Sequence, residues 1–248
     1  MPAGAIISGD VSKTALPSAA NTPAFEFPAA SSADERGRVL VGGNLEPSTI
    51  LGAYQTGLFP MRQGDGQLAW WSPDPRAVIL PDNLRIAHSL HRAINRFEIR
   101  VDTCFEEVID ACAERAEGEY HWITSEVRAA FVEMHRVGWA HSVEAWAPAE
   151  ADALPTLAGG LYGVALGRLF GGESMFHRQR DASKAALVGL VSIMREGAAS
   201  ETGQEPMIDC QWLTPHMASL GAVNLPRDEY LARLSGVIEQ PLPKPFAR

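Results

Sequence analysis

The segment Gly171-Gly172-Glu173-Ser174-Met175-Phe176 has the composition of a buried β-strand but carries one acid, and Met207-Ile208-Asp209-Cys210-Gln211 repeats this pattern. Removing a lone carboxylate from water costs several kcal/mol or shifts its pKa. Each acid must therefore be paired, hydrogen-bonded or functional. We interpret Glu173 and Asp209 as two acids that face one pocket. The alternative for Glu173 is a structural ion pair with Arg168 or Arg178.

The elements predicted on either side of these segments indicate an α+β fold. Strands are expected over 141–146, 157–167 and 168–176, followed by a helix over 182–195 and a strand over 207–212. Three consecutive strands joined by turn signals are typical of an antiparallel meander. The sequence therefore predicts a mostly antiparallel sheet flanked by helices, of the acetyltransferase-like (GNAT-type) kind rather than a doubly wound nucleotide-binding sheet.

Composition divides the chain into four parts. Residues 1–37 are rich in Ala, Ser, Pro and Gly and show no sustained period, which predicts a disordered tail. Residues 38–75 are expected to form a small N-terminal domain that ends at a rigid Trp-Trp-Ser-Pro-Asp-Pro junction. Residues 76–240 are expected to form the acetyltransferase-like catalytic domain, and the proline-rich residues 241–248 a polyproline-type tail.

The spacing of the cysteines and the hydropathy of the sequence indicate the cellular compartment. Of the 248 residues, 46% are hydrophobic, and the three cysteines show neither CxxC nor Cys/His metal spacing. We therefore expect no disulfide framework and no metal site. The sequence has no signal-peptide pattern, and no apolar run reaches the roughly 18 residues of a membrane helix. We expect a cytoplasmic protein without a membrane partner.

The net charge and the missing nucleotide-binding and CoA-binding motifs argue against several classes of function. The net charge of −9 argues against a protein that coats nucleic acid with its whole surface, although residues 76–100 carry a local charge of +3. The chain lacks a P-loop and a GxGxxG turn. The turn at 179–184, Gln-Arg-Asp-Ala-Ser-Lys, also lacks the glycines with which a CoA-dependent acetyltransferase encloses a pyrophosphate. No cofactor is predicted.

Six motifs, in the same order along the chain, resemble the bacterial leucyl/phenylalanyl-tRNA–protein transferase family. They are Tyr-Gln-Thr-Gly-Leu-Phe-Pro at 54–60, Trp-Trp-Ser-Pro-Asp-Pro-Arg at 70–76, Trp-Ile-Thr at 122–124, Gly-Gly-Glu-Ser-Met-Phe at 171–176, Ile-Asp-Cys-Gln at 208–211 and Ala-Ser-Leu-Gly-Ala at 218–222. The resemblance implies an aminoacyltransferase that moves Leu, Phe or Met from aminoacyl-tRNA to proteins with N-terminal Arg or Lys and marks them for degradation. It implies neither ATP nor CoA.

The resemblance also assigns the catalytic residues. Asp209 and Gln211 are two positions apart in a predicted strand, so both side chains are expected on one face. We assign Asp209 to the acceptor amine, as proton acceptor or electrostatic partner, and Gln211 to orienting the amine or polarising the carbonyl. Glu173 is expected to receive the acceptor's cationic side chain. The terminal 2′-hydroxyl of the tRNA is an alternative proton carrier.

The substrate contacts implied by the resemblance form three groups. The amino-acid pocket is expected to be lined by Leu161, Phe170, Met175, Leu187 and Ile208. The terminal adenosine is expected to stack on Tyr54, Trp122 or Trp70. The tRNA backbone is expected to lie against Arg76, Arg85, His88, His91, Arg92 and Arg96.

The chain departs from the family pattern at two places. Met61 stands where the family usually has a tryptophan, so a stacking contact is expected to be weaker or to come from Trp70. His88, His91 and Asn95 occupy positions that are commonly basic. We therefore expect weaker tRNA binding near neutral pH and stronger binding as the histidines protonate.

Two other functions are compatible with the residues alone. One is a CoA-dependent N-acetyltransferase, against which the missing glycine loop argues. The other is a non-catalytic module that binds tRNA or N-terminal degrons, against which the intact Asp209, Gln211 and Glu173 argue. We expect the chain to act as a monomer.

Overall fold

The computed structural model describes residues 7–8, 25–86, 88–114, 122–149, 154–196 and 205–247, and these form an α+β fold with one large and one small sheet. The helices are α1 (Pro47–Gln55), α2 (His88–Ile94), α3 (Phe105–Ala113), α4 (Ser125–Arg136), α5 (Ala182–Arg195), α6 (Pro215–Ser219) and α7 (Arg227–Val237). The strands are β1 (Ile7–Ser8), β2 (Arg38–Val41), β3 (Phe59–Arg62), β4 (Leu68–Trp71), β5 (Arg76–Ile79), β6 (Glu98–Val101), β7 (Ala140–Ala147), β8 (Thr156–Leu166), β9 (Leu169–His177), β10 (Met207–Gln211) and β11 (Val223–Leu225).

The large sheet has eight strands in the order β1-β6-β7-β8-β9-β10-β5-β11. The predicted meander is present as β7, β8 and β9, which pair antiparallel. Among the described strands, only the β1–β6 and β9–β10 pairs are parallel. The sheet is therefore mixed but mostly antiparallel.

The small sheet forms the N-terminal region together with α1. Its strand order is β2-β4-β3, and Phe59 pairs with Trp71 across β3 and β4. Pro47 is the first residue of α1, where its fixed φ and missing N–H are tolerated. This region packs against the large sheet, because α1 and the side chains of β3 and β4 belong to the same apolar cluster as β8 and α7.

Two apolar clusters cover the two faces of the large sheet. One joins the small sheet, α1, α3, α4 and α7, and the other is built on α5. The helix predicted over 182–195 is present as α5, and it buries one apolar face made of Ala186, Leu187, Leu190, Val191 and Met194. Helix α4 begins after Thr124, whose side chain accepts a hydrogen bond from the Val127 amide.

Both termini are more ordered than the sequence predicts. Phe27 packs edge-on against Trp70 with 4.7 Å between ring centroids, and Ile7–Ser8 adds an edge strand, so the disorder predicted for residues 1–37 does not hold for residues 7–8 and 25–37. The rest of that prediction lies outside the described residues. The polyproline-type tail was also wrong at its end. A 3-10 turn at Lys244–Phe246 buries the Phe246 ring, which is 1% exposed. Single aromatic residues hold these segments against the core. A composition averaged over a sequence window does not reveal them.

No helix in the described ranges is long and apolar enough to cross a membrane. Within the same part of the chain, no group of three or more His, Cys, Asp and Glu side chains is arranged to hold a metal ion.

Candidate active site

The two acid-bearing segments are neighbours in the large sheet. Strands β9 and β10 run parallel, and Asp209 lies opposite Gly171. Both strands then depart from regular pairing. The register with β8 shifts between Tyr162 and Gly163, and the register with β5 shifts between Asp209 and Gln211. Because the carboxyl ends of parallel strands meet at one edge, Glu173 and Gln211 reach the same cavity.

The cavity has a volume of about 150 Å³ and a mostly apolar lining. The structure brings together in it all five residues predicted for the amino-acid pocket. Met217 of α6 and Leu190 of α5 complete the apolar wall, and Glu173 and Gln211 add the polar groups. Burial raises the pKa of the Cys210 thiol, which also lines the cavity, so it is held as a neutral thiol and not as a nucleophile.

Asp209 is fully buried and is held by a network that the sequence did not reveal. Its carboxylate accepts hydrogen bonds from Arg76 Nε at 2.8 Å and Nη2 at 2.6 Å, and from the Tyr230 hydroxyl at 2.8 Å. It also accepts one from the Gln211 backbone N–H at 2.9 Å. These donors occupy both carboxylate oxygens, and Asp209 also lines the cavity, so its assignment to the acceptor amine stays a prediction.

Arg76 is the cation of this network and not a surface residue. It is fully buried, and its guanidinium lies 4.6 Å from the ring centroids of both Phe59 and Tyr230. Burial is the largest single effect and lowers the pKa of Arg76, but the charge and hydrogen bonds of Asp209, together with Tyr230, outweigh it and raise the pKa above its usual value. The prediction that Arg76 contacts the tRNA backbone is wrong, because the side chain is enclosed and ion-paired.

Gln211 has an unusual backbone that the network holds. Its φ is +59°, in the left-handed region that non-glycine residues rarely adopt. The bond from its N–H to Asp209 fixes this turn, and its side-chain Nε2 donates to the Gly172 carbonyl at 2.8 Å. The left-handed turn and the register shift interrupt the regular strand alternation on which the shared face of Asp209 and Gln211 was predicted, but both residues line the cavity.

Glu173 lies half-buried beside the cavity and accepts a hydrogen bond from the Tyr54 hydroxyl. Gly171 permits this contact, since a Cβ there would lie 2.4 Å from Tyr54 Cε1. Desolvation, and then the nearby Asp209 charge, hold the pKa of Glu173 well above its usual value. No Lys, Arg or His of the described residues forms an ion pair with it. The structural ion pair is excluded, because Arg168 binds main-chain carbonyls and Arg178 binds Glu107.

The aromatic residues expected to meet the terminal adenosine differ in accessibility. Trp70 is fully buried and donates to the Gly42 carbonyl, and Tyr54 is 1% exposed, so neither ring offers an open face. Trp122 is half-buried. The sequence reasoning missed Trp212, which is 37% exposed, directly follows Gln211, and packs edge-on against Phe59 and Trp71. Its position after a site residue was the available signal.

The basic residues of the α2 region lie on the surface. Arg85, His91, Arg92 and Arg96 are exposed, and the His88 side chain lies outside the described part of the structure. One cleft brings Arg85 together with Arg180 and Lys184 near the N-terminus of α5, and a second brings Arg92 and Arg96 together with Arg180. The sequence reasoning did not assign Arg180 or Lys184 to this surface.

Comparisons with known proteins agree with the resemblance found in the sequence. Residues 78–235 match the family described as "Leucyl/phenylalanyl-tRNA protein transferase", and residues 43–74 match its N-terminal domain. The leucyl/phenylalanyl-tRNA–protein transferase of Aromatoleum aromaticum is 47% identical over 216 residues, 85% of this chain and 86% of that protein. The one of Magnetococcus marinus is 44% identical over 88% of this chain and 90% of that protein. The one of Methylococcus capsulatus is 45% identical over 86% of this chain and 86% of that protein. This chain belongs to the leucyl/phenylalanyl-tRNA–protein transferase family.

Proposed function

We propose that this protein transfers Leu, Phe or Met from aminoacyl-tRNA to the α-amine of proteins whose N-terminal residue is Arg or Lys, creating a destabilising N-terminus for degradation. The observation that carries the proposal is the apolar cavity of about 150 Å³ with the Glu173 carboxylate beside it. An apolar cavity of this size accommodates a benzene-sized group. It therefore suits a Leu, Met or Phe side chain, and the acid suits a cationic partner.

The reaction requires positioning more than activation. The donor is an ester, so the acceptor amine attacks the carbonyl carbon, a C–N bond forms, and the bond to the ribose oxygen breaks. The amine loses one proton and the leaving ribose oxygen gains one. Holding amine and ester together in a nearly dry site contributes to the rate without ATP or a metal ion.

Gln211 is the group we assign to the reacting amine. Its side-chain Nε2 donates to the Gly172 carbonyl, which leaves Oε1 to accept a hydrogen bond from the acceptor. The strained backbone at Gln211 supports this role, because such strain persists where the surrounding structure holds a functional group in place.

Asp209 acts in this proposal as a positioning residue. Its carboxylate is enclosed with Arg76 and Tyr230, so it holds the Gln211 backbone instead of receiving the proton. Of the two proton carriers considered for the reaction, the terminal 2′-hydroxyl of the tRNA is favoured, because it lies on the substrate beside the leaving oxygen.

Glu173 is the residue we assign to the acceptor's Arg or Lys side chain. It lies beside the cavity without a cationic partner among the described residues, and the Tyr54 hydroxyl donates a hydrogen bond to it. An incoming guanidinium or ammonium would stabilise the carboxylate form, which burial disfavours in the unliganded protein. Acceptor selection would then rest on the pairing of the half-buried Glu173.

The donor tRNA would lie across the exposed basic surface next to the cavity. We assign its backbone to Arg85, His91, Arg92, Arg96, Arg180 and Lys184, and its terminal adenine to the exposed ring of Trp212, with Trp122 as a second aromatic. Trp212 packs on Phe59, whose neighbour two positions along β3 is Met61. Its ring would thus supply aromatic surface near the position where the family usually has a tryptophan.

The remaining parts of the proposal concern architecture and setting. An acetyltransferase-like fold is supported by the mostly antiparallel sheet with helices on both faces. Every residue assigned above comes from one chain, which supports action as a monomer. A cytoplasmic location follows from the donor, because aminoacyl-tRNA is made there.

The test is label transfer from Leu-tRNA to a protein with N-terminal Arg, by the purified chain and without ATP. Label is expected on the acceptor's N-terminus, at much lower efficiency with Glu173→Gln. The matched control is the same acceptor with N-terminal Gly. Failure to label the Arg acceptor would exclude the proposed activity, and equal labelling of the Gly acceptor would exclude the role of Glu173.

A further inference from the structure

The C-terminal segment supports the amino-acid pocket from behind. Phe246 is 1% exposed, and its ring stacks on Phe170 at an interplanar angle of 30° with 5.7 Å between centroids. Phe170 in turn lines the apolar cavity. The segment after α7 is therefore part of the structure that determines where one wall of the cavity lies.

Phe170 is confined on another side as well. Gly163 of β8 lies so close that a Cβ there would be 2.5 Å from Phe170 Cε1. With the ring held against β8 on one side and Phe246 on another, Phe170 has little freedom to move away from a bound side chain. A shift of this ring changes the depth of the cavity directly.

The Phe246 ring has its own anchor. It stacks on His141 with 4.7 Å between centroids, and His141 Nδ1 is 2.7 Å from Asp102 Oδ2. His141 is fully buried. A contact series thus runs from Asp102 through His141 and Phe246 to Phe170, and it joins the end of the chain to the pocket wall.

We propose that Phe246 is a positioning residue that sets the size of the aminoacyl side chain accepted by the cavity. The inference rests on the proposed transferase activity. Truncation of the Phe246 ring leaves space into which Phe170 can withdraw, so the cavity deepens. Larger donor side chains then gain room, while Leu loses contact with the wall. The C-terminal segment is in this way a determinant of donor selectivity.

The test compares donors that differ only in the amino acid. One tRNA sequence is charged with Leu or with Trp, and kcat/KM is measured for both with an N-terminal Arg acceptor. In Phe246→Ala the Trp/Leu ratio is expected to rise about tenfold, the lower end of what one methylene-sized change achieves in an apolar pocket. Phe246→Leu, which keeps most of the volume but not the stack, is expected to change the ratio in the same direction by less.

Phe97→Ala is the matched control. Phe97 packs against the same apolar cluster but does not line the cavity, so its variant is expected to keep the wild-type ratio. An equal loss with both donors in Phe246→Ala, or the same shift in Phe97→Ala, would overturn the proposal. So would insolubility of both Phe246 variants, which would indicate a folding role instead. A wild-type chain that transfers neither amino acid would contradict the transferase activity itself.

Discussion

Glu173 is a shielded acid without a cationic partner among the described residues, and this fixes the pH dependence of the reaction. In the proposed reaction the carboxylate form of Glu173 binds the acceptor's cation, and burial raises the pKa of this acid, so the competent form increases as pH rises through the raised pKa. We expect the wild-type kcat/KM for the Arg acceptor, divided by that of Glu173→Gln at the same pH, to rise in this range. The quotient removes the titration of the acceptor amine, which both enzymes share. A quotient constant with pH would contradict the assignment.

The raised pKa of Glu173 also predicts that the variant Glu173→Gln is more stable than wild type at neutral pH. A folded-state pKa above the unfolded value means that stability is fully present at pH values below the unfolded pKa and is lost as pH rises through the folded pKa. At neutral pH the neutral amide of Glu173→Gln avoids this loss and can still accept a hydrogen bond from Tyr54. We expect a higher Tm than wild type at pH 7.5 and a smaller difference at pH 5, measured by thermal unfolding. A lower Tm at pH 7.5 would contradict the burial argument.

Trp212 provides a residue-level test of the donor site. Stacking of a base on an aromatic ring is worth about 1–3 kcal/mol. We expect Trp212→Ala to raise KM for aminoacyl-tRNA by the corresponding factor, and Trp212→Phe to retain most of the affinity. If both variants bind the donor as wild type does, the exposed ring has no part in binding.

At the scale of elements, the buried Arg76–Asp209 pair joins β5 to β10, and Tyr230 joins α7 to both. Removing one partner of a buried ion pair typically costs about 3–5 kcal/mol, because the other charge stays buried. We expect this loss of unfolding free energy for Arg76→Met in chemical denaturation. Tyr230→Phe should lower the free energy of unfolding by about 1 kcal/mol. It should also lower kcat with a smaller effect on KM, because loss of the hydroxyl loosens the Gln211 turn. A kcat equal to wild type would contradict the positioning role.

The helices and strands also show which parts of the fold and the site could be predicted from the sequence. The regular helix α5 and the meander of β7, β8 and β9 follow from local periodicity, so they were predicted. The five pocket residues were predicted from the resemblance and meet in one cavity. The Arg76–Asp209 pair joins residues 133 positions apart, and no local pattern encodes it. The left-handed turn at Gln211 and the stacked Phe246 depend on tertiary contacts in the same way.

At the scale of the whole molecule, a chain of net charge −9 must bind a polyanion through a local surface. Arg92, Arg96 and Arg180 meet in one cleft there, with Asp181 as the acid beside them. We expect filter binding to show tighter binding of tRNA at pH 6 than at pH 7.5, because protonated histidines add charge. A variant with His88 and His91 both changed to Ala should lose this difference. Equal affinity at both pH values in wild type would contradict the prediction.

The proposed reaction requires an apolar donor pocket and an acidic acceptor site in one molecule. Its most direct test is intact-mass analysis of two acceptors, with N-terminal Arg and N-terminal Gly, incubated together with the chain and a mixture of all aminoacyl-tRNAs, without ATP. We predict that only the Arg acceptor gains mass, by one Leu, Phe or Met residue. Addition of Val at a comparable rate, addition of Ile (distinguished from Leu by N-terminal sequencing, since the two have the same mass), or addition to the Gly acceptor would contradict this reaction.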